Sequence, residues 1–434
     1  MKFTSRSARR PKDDIGGRPH KKRLDWRAIL FALPFAYTSV IHPISIYVDK
    51  QPPLGVYLEA GIADRLFWPG LAFCAIALVI LRQRLGALIR TARVPQMQAL
   101  FCLLLLAAVS ALWSSSPETT LVRFASQCFI TAFFVAAATL LRPDSDYVRA
   151  IYIVFAVGVV LNIGYVSTQS PNIVDGVNVG YSGYFGNKNS LGFFASFAFL
   201  FSLFNMRRSA LRIGGGLVVI GASVVLLVMS KSKGALVFAI ASPFVAFALL
   251  LVYRKLRISP AVSVTTAASA FLVISLMVGD LPGRISMLMY GNPTLSNRTA
   301  IWEFIDRMVS IRPMLGWGYR SFWLVPEDIL ARYPAEAWIK LMPHGHNGYL
   351  DMKVELGYVG YGLLLWLLAA VFYQVGKIAD RDMRSGWMVA TIALFIVLMN
   401  FVESSWLRGA DPLWLPFLVA IAEGNRSFLA QGRS

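Results

Sequence analysis

Twelve apolar stretches, each long enough to enter a hydrocarbon layer about 30 Å thick, dominate this chain of 434 residues. They fall near residues 29–48, 64–81, 97–113, 121–141, 148–168, 186–206, 214–230, 234–252, 261–279, 354–375, 387–403 and 411–424. A soluble chain of this length is not so apolar: 56% of positions are hydrophobic and only 15% are charged. Within lipid, a backbone must satisfy its own N–H and C=O groups, so runs of this kind fold as helices. The expected fold class is all-α and polytopic.

Charge tests the count. The tail Met1 to Arg27 carries ten Lys or Arg against three Asp. Such a tail stays in the cytoplasm by the positive-inside rule, and it is no cleavable signal because the run behind it opens a multispan protein. With that end inside, the even-numbered connections are cytoplasmic. They hold Arg82, Arg84, Arg90 and Arg93, then Arg142 and Arg149, then Arg207, Arg208 and Arg212, then Arg254, Lys255 and Arg257, then Lys377, Arg381 and Arg384. With both ends included, 27 of the 42 basic residues lie on the predicted inner side. The chain then divides into a basic cytoplasmic tail (1–27), spans one to nine (28–279), an outer loop (280–353), spans ten to twelve (354–424) and a cytoplasmic tail (425–434).

The formal charge of +19 is thus explained by topology, and nucleic acid is not an expected partner. Cys74, Cys102 and Cys128 all sit inside apolar runs and read as small core residues. No CxxC, HExxH, Walker loop or GxSxG occurs. The 280–353 loop is too long to be structureless and should fold. Within it Asn297 to Ser310 reads as an amphipathic helix, with Ile301, Trp302, Ile305, Met308 and Val309 on one face and Pro313 beyond its end. That face should lie on or dip into the outer leaflet. Gly316, Gly318 and Pro326 mark turns, and a second short aromatic helix follows.

Four clusters carry candidate chemistry. Pro343 to Asp351 holds His344 and His346 directly before span ten. Two histidines at this spacing suit a metal, but no third ligand stands at workable spacing, so no metal is expected. The same residues also read as a helix cap built on Asn347, or as a proton acceptor near neutral pH. Asn292 to Thr299 places Arg298 in the first turn of the amphipathic helix, where it opposes the helix dipole unless an anion shares the site. Ser230 to Gly234 sets Lys231 and Lys233 at a tight outer turn, against the positive-inside trend. Gly183 to Gly192 opens span six with Asn187, Lys188 and Asn189, whose polar groups suit a sugar or diphosphate. Lys188, Lys233, Arg298 and His346 all fall at one outer membrane level, which suggests a cavity for a lipid-linked polyanion.

These segments resemble the O-antigen ligase and polysaccharide polymerase superfamily, nearest its exopolysaccharide repeat-unit polymerases. The resemblance rests on Arg298 to Trp302, Pro313 to Gly318, His346 to Leu350, Glu355 to Gly360 and Gly186 to Gly192. It implies a GT-C-like enzyme in the bacterial inner membrane, working at the periplasmic face on undecaprenyl-diphosphate-linked oligosaccharides. The implied chemistry is metal-independent, inverting glycosyl transfer without a cofactor. Arg298 would hold the diphosphate and His346 would activate the acceptor hydroxyl, with His344 as the fallback. Lys233 matches a second family cation that is more usually arginine, and Asn297 stands where glycine is common. Lys188, Asn187, Asn189 and Asn347 complete the expected substrate contacts, while Glu355, about two turns into span ten, reads as an orienting residue. Other polysaccharide assembly and export proteins are candidate partners beside the bilayer.

Two rivals remain at this stage. A ligase would move the glycan to lipid A core or another acceptor from the same donor site. A transporter or flippase would need acidic residues in mid-span for ion coupling, and spans two to nine have essentially none.

Overall fold

The computed structural model describes residues 23–44, 62–174, 177–207, 209–278, 298–325 and 332–431, with short pieces at 283–284 and 287–288. Most of the basic N-terminal tail, and Asn292 to Asn297, lie outside the described residues. In chain order the helices are α1 (Trp26–Ala36, continuing through a π-turn at Tyr37–Ile41), α2 (Ile62–Leu81), α3 (Leu85–Thr91), α4 (Pro95–Val109), α5 (Pro117–Leu140) and α6 (Tyr147–Thr168). A small antiparallel hairpin follows, β1 (Asn172–Val174) with β2 (Val177–Gly180). Then come α7 (Lys188–Asn205), α8 (Ala210–Ser230), α9 (Lys233–Leu256), α10 (Pro260–Val278), α11 (Arg298–Ile311), α12 (Ala337–Lys340), α13 (Gly348–Ala379), α14 (Met383–Met399) and α15 (Trp414–Gln431).

Every one of the twelve apolar runs coincides with a helix. Among the described residues, eight are long and apolar enough to cross a membrane on those grounds alone, and Pro260–Ser275 and Met383–Met399 are shorter apolar helices. α7 and α15, eighteen residues each, complete the set. Proline at the first turn starts α4 and α5, where a missing N–H costs nothing. Leu81, Leu112, Leu211 and Phe244 stand more than 70% exposed, as side chains facing lipid do. Aromatic packing fills the centre, with Phe155 stacked on Phe201 at 5.6 Å.

Contacts between connections segregate by parity. On one face, Asp146 of the α5–α6 connection pairs with Arg212 near the start of α8 at 2.9 Å, and Arg84 donates to Thr139 O at 2.6 Å. On the same face Tyr253 donates to Asp380 at 2.6 Å, and Arg384 donates to Phe204 O at 3.0 Å. On the other, Trp113 donates to Leu315 O at 3.2 Å, Ser115 to Ser321 O at 2.9 Å and Lys231 to Asn178 O at 2.9 Å. These are called the terminal face and the loop face below. The alternation is the one that twelve crossings require.

Two ends differ from expectation. α13 begins at Gly348, six residues early, because Asn347 caps it by accepting from Tyr349 N and Leu350 N at 3.1 and 3.2 Å. α15 runs past the expected end because Glu423 and Arg426 pair with each other at 2.5 Å, and Tyr147 donates to Glu423 at 2.8 Å.

The apolar face of α11 is the third difference. Ile301, Phe304, Ile305, Met308 and Val309 are buried against Trp317, Phe322, Trp323, Ile339 and Val354. The helix was expected to rest on lipid; it rests on protein.

α13 is broken at Gly357, whose φ of +66° and ψ of −168° are open essentially to glycine alone. The break frees backbone groups that would be costly inside a membrane. The 313–318 segment takes them up. Tyr358 N donates to Pro313 O at 2.8 Å and Val359 N to Met314 O at 3.2 Å, while Trp317 N and Gly318 N donate to Val354 O and Glu355 O at 2.9 and 2.8 Å. A Cβ on Gly357 would lie 2.2 Å from the Met314 backbone, and one on Gly316 would lie 2.6 Å from that of Glu355. The two glycine-bearing segments are one backbone clasp.

Candidate active site

The start of α7 is set by Asn187, whose side chain accepts from Ser190 N at 2.8 Å. Lys188 and Asn189 follow in its first turn. The α8–α9 turn packs beside them, with Lys231 in a left-handed conformation at φ +52°. Close approach needs two glycines here: a Cβ on Gly192 would meet Ser232 at 2.7 Å, and one on Gly180 would meet Ser230 O at 2.4 Å. Arg298 opens α11 and donates to Val402 O, so the 298–311 helix is tied to the connection after α14.

These elements enclose a cavity of about 370 Å³. Lys188, Lys231, Lys233 and Arg298 line it together with Asn189, Ser232 and Glu403. Lys188 is exposed to the like charge of Lys231, Arg298 and Lys233. Three cations expected from the sequence therefore do converge, and Lys231 joins them.

The histidine loop is held from several sides. Gly345 N donates to both oxygens of Asp351 at 3.0 Å, Trp302 Nε1 donates to Gly345 O at 3.0 Å, and Gly348 N donates to Asn400 O and Glu403 O at 2.9 Å. Asp351 is itself paired with Arg408 at 2.9 Å, and Arg408 also reaches Glu355 at 3.0 Å. His346 is left at φ +51°, a conformation that non-glycine residues adopt only where neighbours impose it. Its backbone N–H donates to His344 Nδ1 at 3.2 Å, and the two rings stand 4.3 Å apart.

Glu403 joins the two halves. Its Oε1 lies 3.3 Å from His344 Nε2 and 3.2 Å from His346 Nδ1, while Asn189 Nδ2 donates to its Oε2 at 3.4 Å. Burial raises this carboxyl's pKa, but His344, His346 and Arg298 outweigh that and hold it down to about 2. Burial pushes His344 down to about 4, helped by His346 and Arg408 and only partly offset by Glu403. Near neutral pH the pair is thus a carboxylate beside a neutral imidazole.

The fold corrects one expectation. A third ligand does accompany the histidines, since donor atoms of His344, His346 and Glu403 all lie within 4.8 Å of one another. The sequence hid it because the whole of α13 and α14 separates the segments. The group nearest both imidazoles is that acid, Glu403. His344 Nδ1 accepts a backbone N–H, so the proton of the neutral ring sits on Nε2, the nitrogen facing Glu403.

Asn187 and Asn347, both expected to touch substrate, spend their side-chain oxygens on helix caps. Sequence reading missed Glu403, Arg408 and the clamp role of Asp351. The available signal was charge at the loop-face end of an apolar span, where acids and arginines are costly unless paired.

Known proteins resemble this chain over part of its length. The family model described as O-antigen ligase matches residues 216–365, a segment that includes Lys231, Lys233, Arg298, both site histidines and Asp351. A protein named as a polysaccharide ligase from Rickettsia felis is 27% identical over 134 residues, 30% of this chain and 32% of that protein. A similarly named protein from Rickettsia bellii is 27% identical over 135 residues, 30% of this chain and 33% of its own length. The chain therefore spans about a third of these relatives. The exopolysaccharide production protein ExoQ of Rhizobium meliloti is 25% identical over 320 residues, 70% of this chain and 71% of that protein. Over residues 216–365 this membrane protein is thus similar to the family described as O-antigen ligase, within a chain similar to proteins named as polysaccharide ligases and to an exopolysaccharide production protein.

Proposed function

We propose that this protein polymerises undecaprenyl-diphosphate-linked oligosaccharide repeat units, by inverting glycosyl transfer at the periplasmic face of the bacterial inner membrane. The observation that carries the reading is the cavity lined by Lys188, Lys231, Lys233 and Arg298 beside the His344–His346 loop. The orientation rests on the 27 basic residues of the predicted inner side. The polymerase reading is favoured over the ligase reading by the similarity to the exopolysaccharide production protein, which spans 71% of that protein where the named ligases match over about a third.

The chemistry is a single displacement. The bond between the anomeric carbon and the diphosphate oxygen breaks, and its electron pair leaves with the diphosphate. A bond forms from the acceptor hydroxyl oxygen to the opposite side of that carbon, inverting it. The hydroxyl proton passes to His346. Charge grows on the leaving oxygen, so fixed cations stabilise the transition state more than the ground state. Arg298 holds two oxygens at once and Lys233 and Lys188 add point charges. With those cations in place no metal is needed, and purified protein should keep its activity in excess EDTA.

A deletion strain whose lipid-linked glycans are sized tests the reading. Accumulated single repeats support polymerisation. Long chains that fail to reach their acceptor would instead identify a ligase. Unchanged glycans, with a defect in movement of the lipid carrier across the membrane, would point to transport. Activity lost in EDTA and restored by Mg²⁺ or Mn²⁺ would end the fixed-cation mechanism.

A further inference from the structure

A general base needs more than a nitrogen in the right place: the ring must be turned correctly and must carry its proton on the other nitrogen. One ring nitrogen of His346 faces an acid. Its Nδ1 is buried, lies 3.2 Å from Glu403 Oε1, and makes no formed hydrogen bond in this arrangement. In apo geometry such contacts are often poorly aligned and tighten when substrate binds. The other nitrogen, Nε2, belongs to a side chain that is 23% exposed.

Glu403 itself is built to stay in place. It is buried on the turn after α14, and its backbone carbonyl accepts from Gly348 N at 2.9 Å. Its second oxygen accepts from Asn189, a residue that lines the cationic cavity. One carboxylate therefore touches both imidazoles and the wall of the anion site.

We infer that Glu403 is a positioning residue that turns His346 and holds the Nδ1 proton, leaving the Nε2 lone pair to accept the proton of the attacking sugar hydroxyl. As Nε2 takes that proton, the ring becomes cationic, and the carboxylate beside Nδ1 stabilises the charge. Glu403 remains ionised and exchanges no proton. His344, whose Nε2 faces the same oxygen, keeps that carboxylate between the two rings. Asn189 couples its orientation to the mouth of the donor cavity.

This inference rests on His346 being the base, and a double-mutant cycle separates the two claims. Glu403→Gln keeps the shape and removes the charge. It should lower kcat by roughly 10²- to 10⁴-fold, with KM for the lipid-linked donor within about threefold of the parent, because the orienting carboxylate acts on the base. Glu403→Asp keeps the charge and should recover at least tenfold of that loss. Placed in a His346→Gln background, Glu403→Gln should cost almost nothing further, since a positioning residue has nothing left to position. An equal loss in both backgrounds, or a loss confined to KM, would overturn the role of Glu403 and leave His346 as the base. Near-parental activity of His346→Gln alone would instead overturn the base assignment. Should Glu403→Gln fail to accumulate, the Asp variant carries the test: retention of the His346-dependent activity supports the inference, and loss with normal folding and donor KM opposes it.

Discussion

The two faces of the molecule distribute charge differently. On the terminal face, charged groups meet partners one by one: Asp146 with Arg212, Glu423 with Arg426 and Tyr147, Arg384 with the carbonyls at the end of α7. On the loop face four cations line a single cavity, with Glu403 the acidic lining residue among the described residues. The contrast fits the proposed function, in which folding finishes the terminal face and a donor anion completes the loop face.

The test with an all-or-none outcome concerns the faces themselves. In a background lacking Cys74, Cys102 and Cys128, a cysteine at Ala337 should react with an impermeant reagent in intact cells. One at Lys255 should react only after permeabilisation. The reverse pattern would break the assignment of loop face to periplasm.

Next in size is the base. His346→Ala should abolish polymer formation, and His346→Gln should lie close behind, a loss of roughly 10²–10⁴-fold. Protein level and donor binding should stay near normal, because a lost cap contact costs only about 0.5–2 kcal/mol and Asn347 supplies the cap. Substantial polymer from the Gln variant at matched expression would return His346 to a structural role.

The cations come third. Arg298→Lys should lower turnover by roughly 10²-fold, since an ammonium cannot copy a two-oxygen grip on phosphate. Lys233→Arg should be mild. If both are silent while Lys188→Ala inactivates, the donor site is centred on α7.

The smallest effect on turnover belongs to the terminal face. Glu423→Gln leaves Arg426 without its carboxylate and should cost about 3 kcal/mol of stability. Thermal denaturation in detergent should show that loss, while kcat per folded molecule stays unchanged. A fall in kcat with no loss of stability would mean that the two faces communicate.

The spans were legible because hydropathy and loop charge are local properties of sequence. The cations were legible for a related reason: Lys233 breaks the positive-inside trend at an outer turn, Arg298 opposes the dipole of the helix it opens, and Lys188 sits between two asparagines at the start of a span. Asn187 and Asn347 show where such reading stops. A polar residue at a helix start suits a cap and a ligand equally, and only the Ser190 and Tyr349 amides decide for the cap.

The sequence by itself therefore determined the helical membrane frame, the alternation of its connections and the presence of a cationic cluster with a histidine pair beside it. Tertiary structure alone decided the rest. Hydrophobic periodicity is the same whether α11 rests on lipid or on Trp317, Phe322 and Trp323, so its partner emerged only from packing. Average hydropathy cannot register the break at Gly357, because backbone conformation does not enter it, nor the clasp that Pro313 to Gly318 forms around it. Glu403 reaches His346 across the whole of α13 and α14. A contact of that kind leaves no local pattern, because the distance that matters is spatial and is set by how two helices pack.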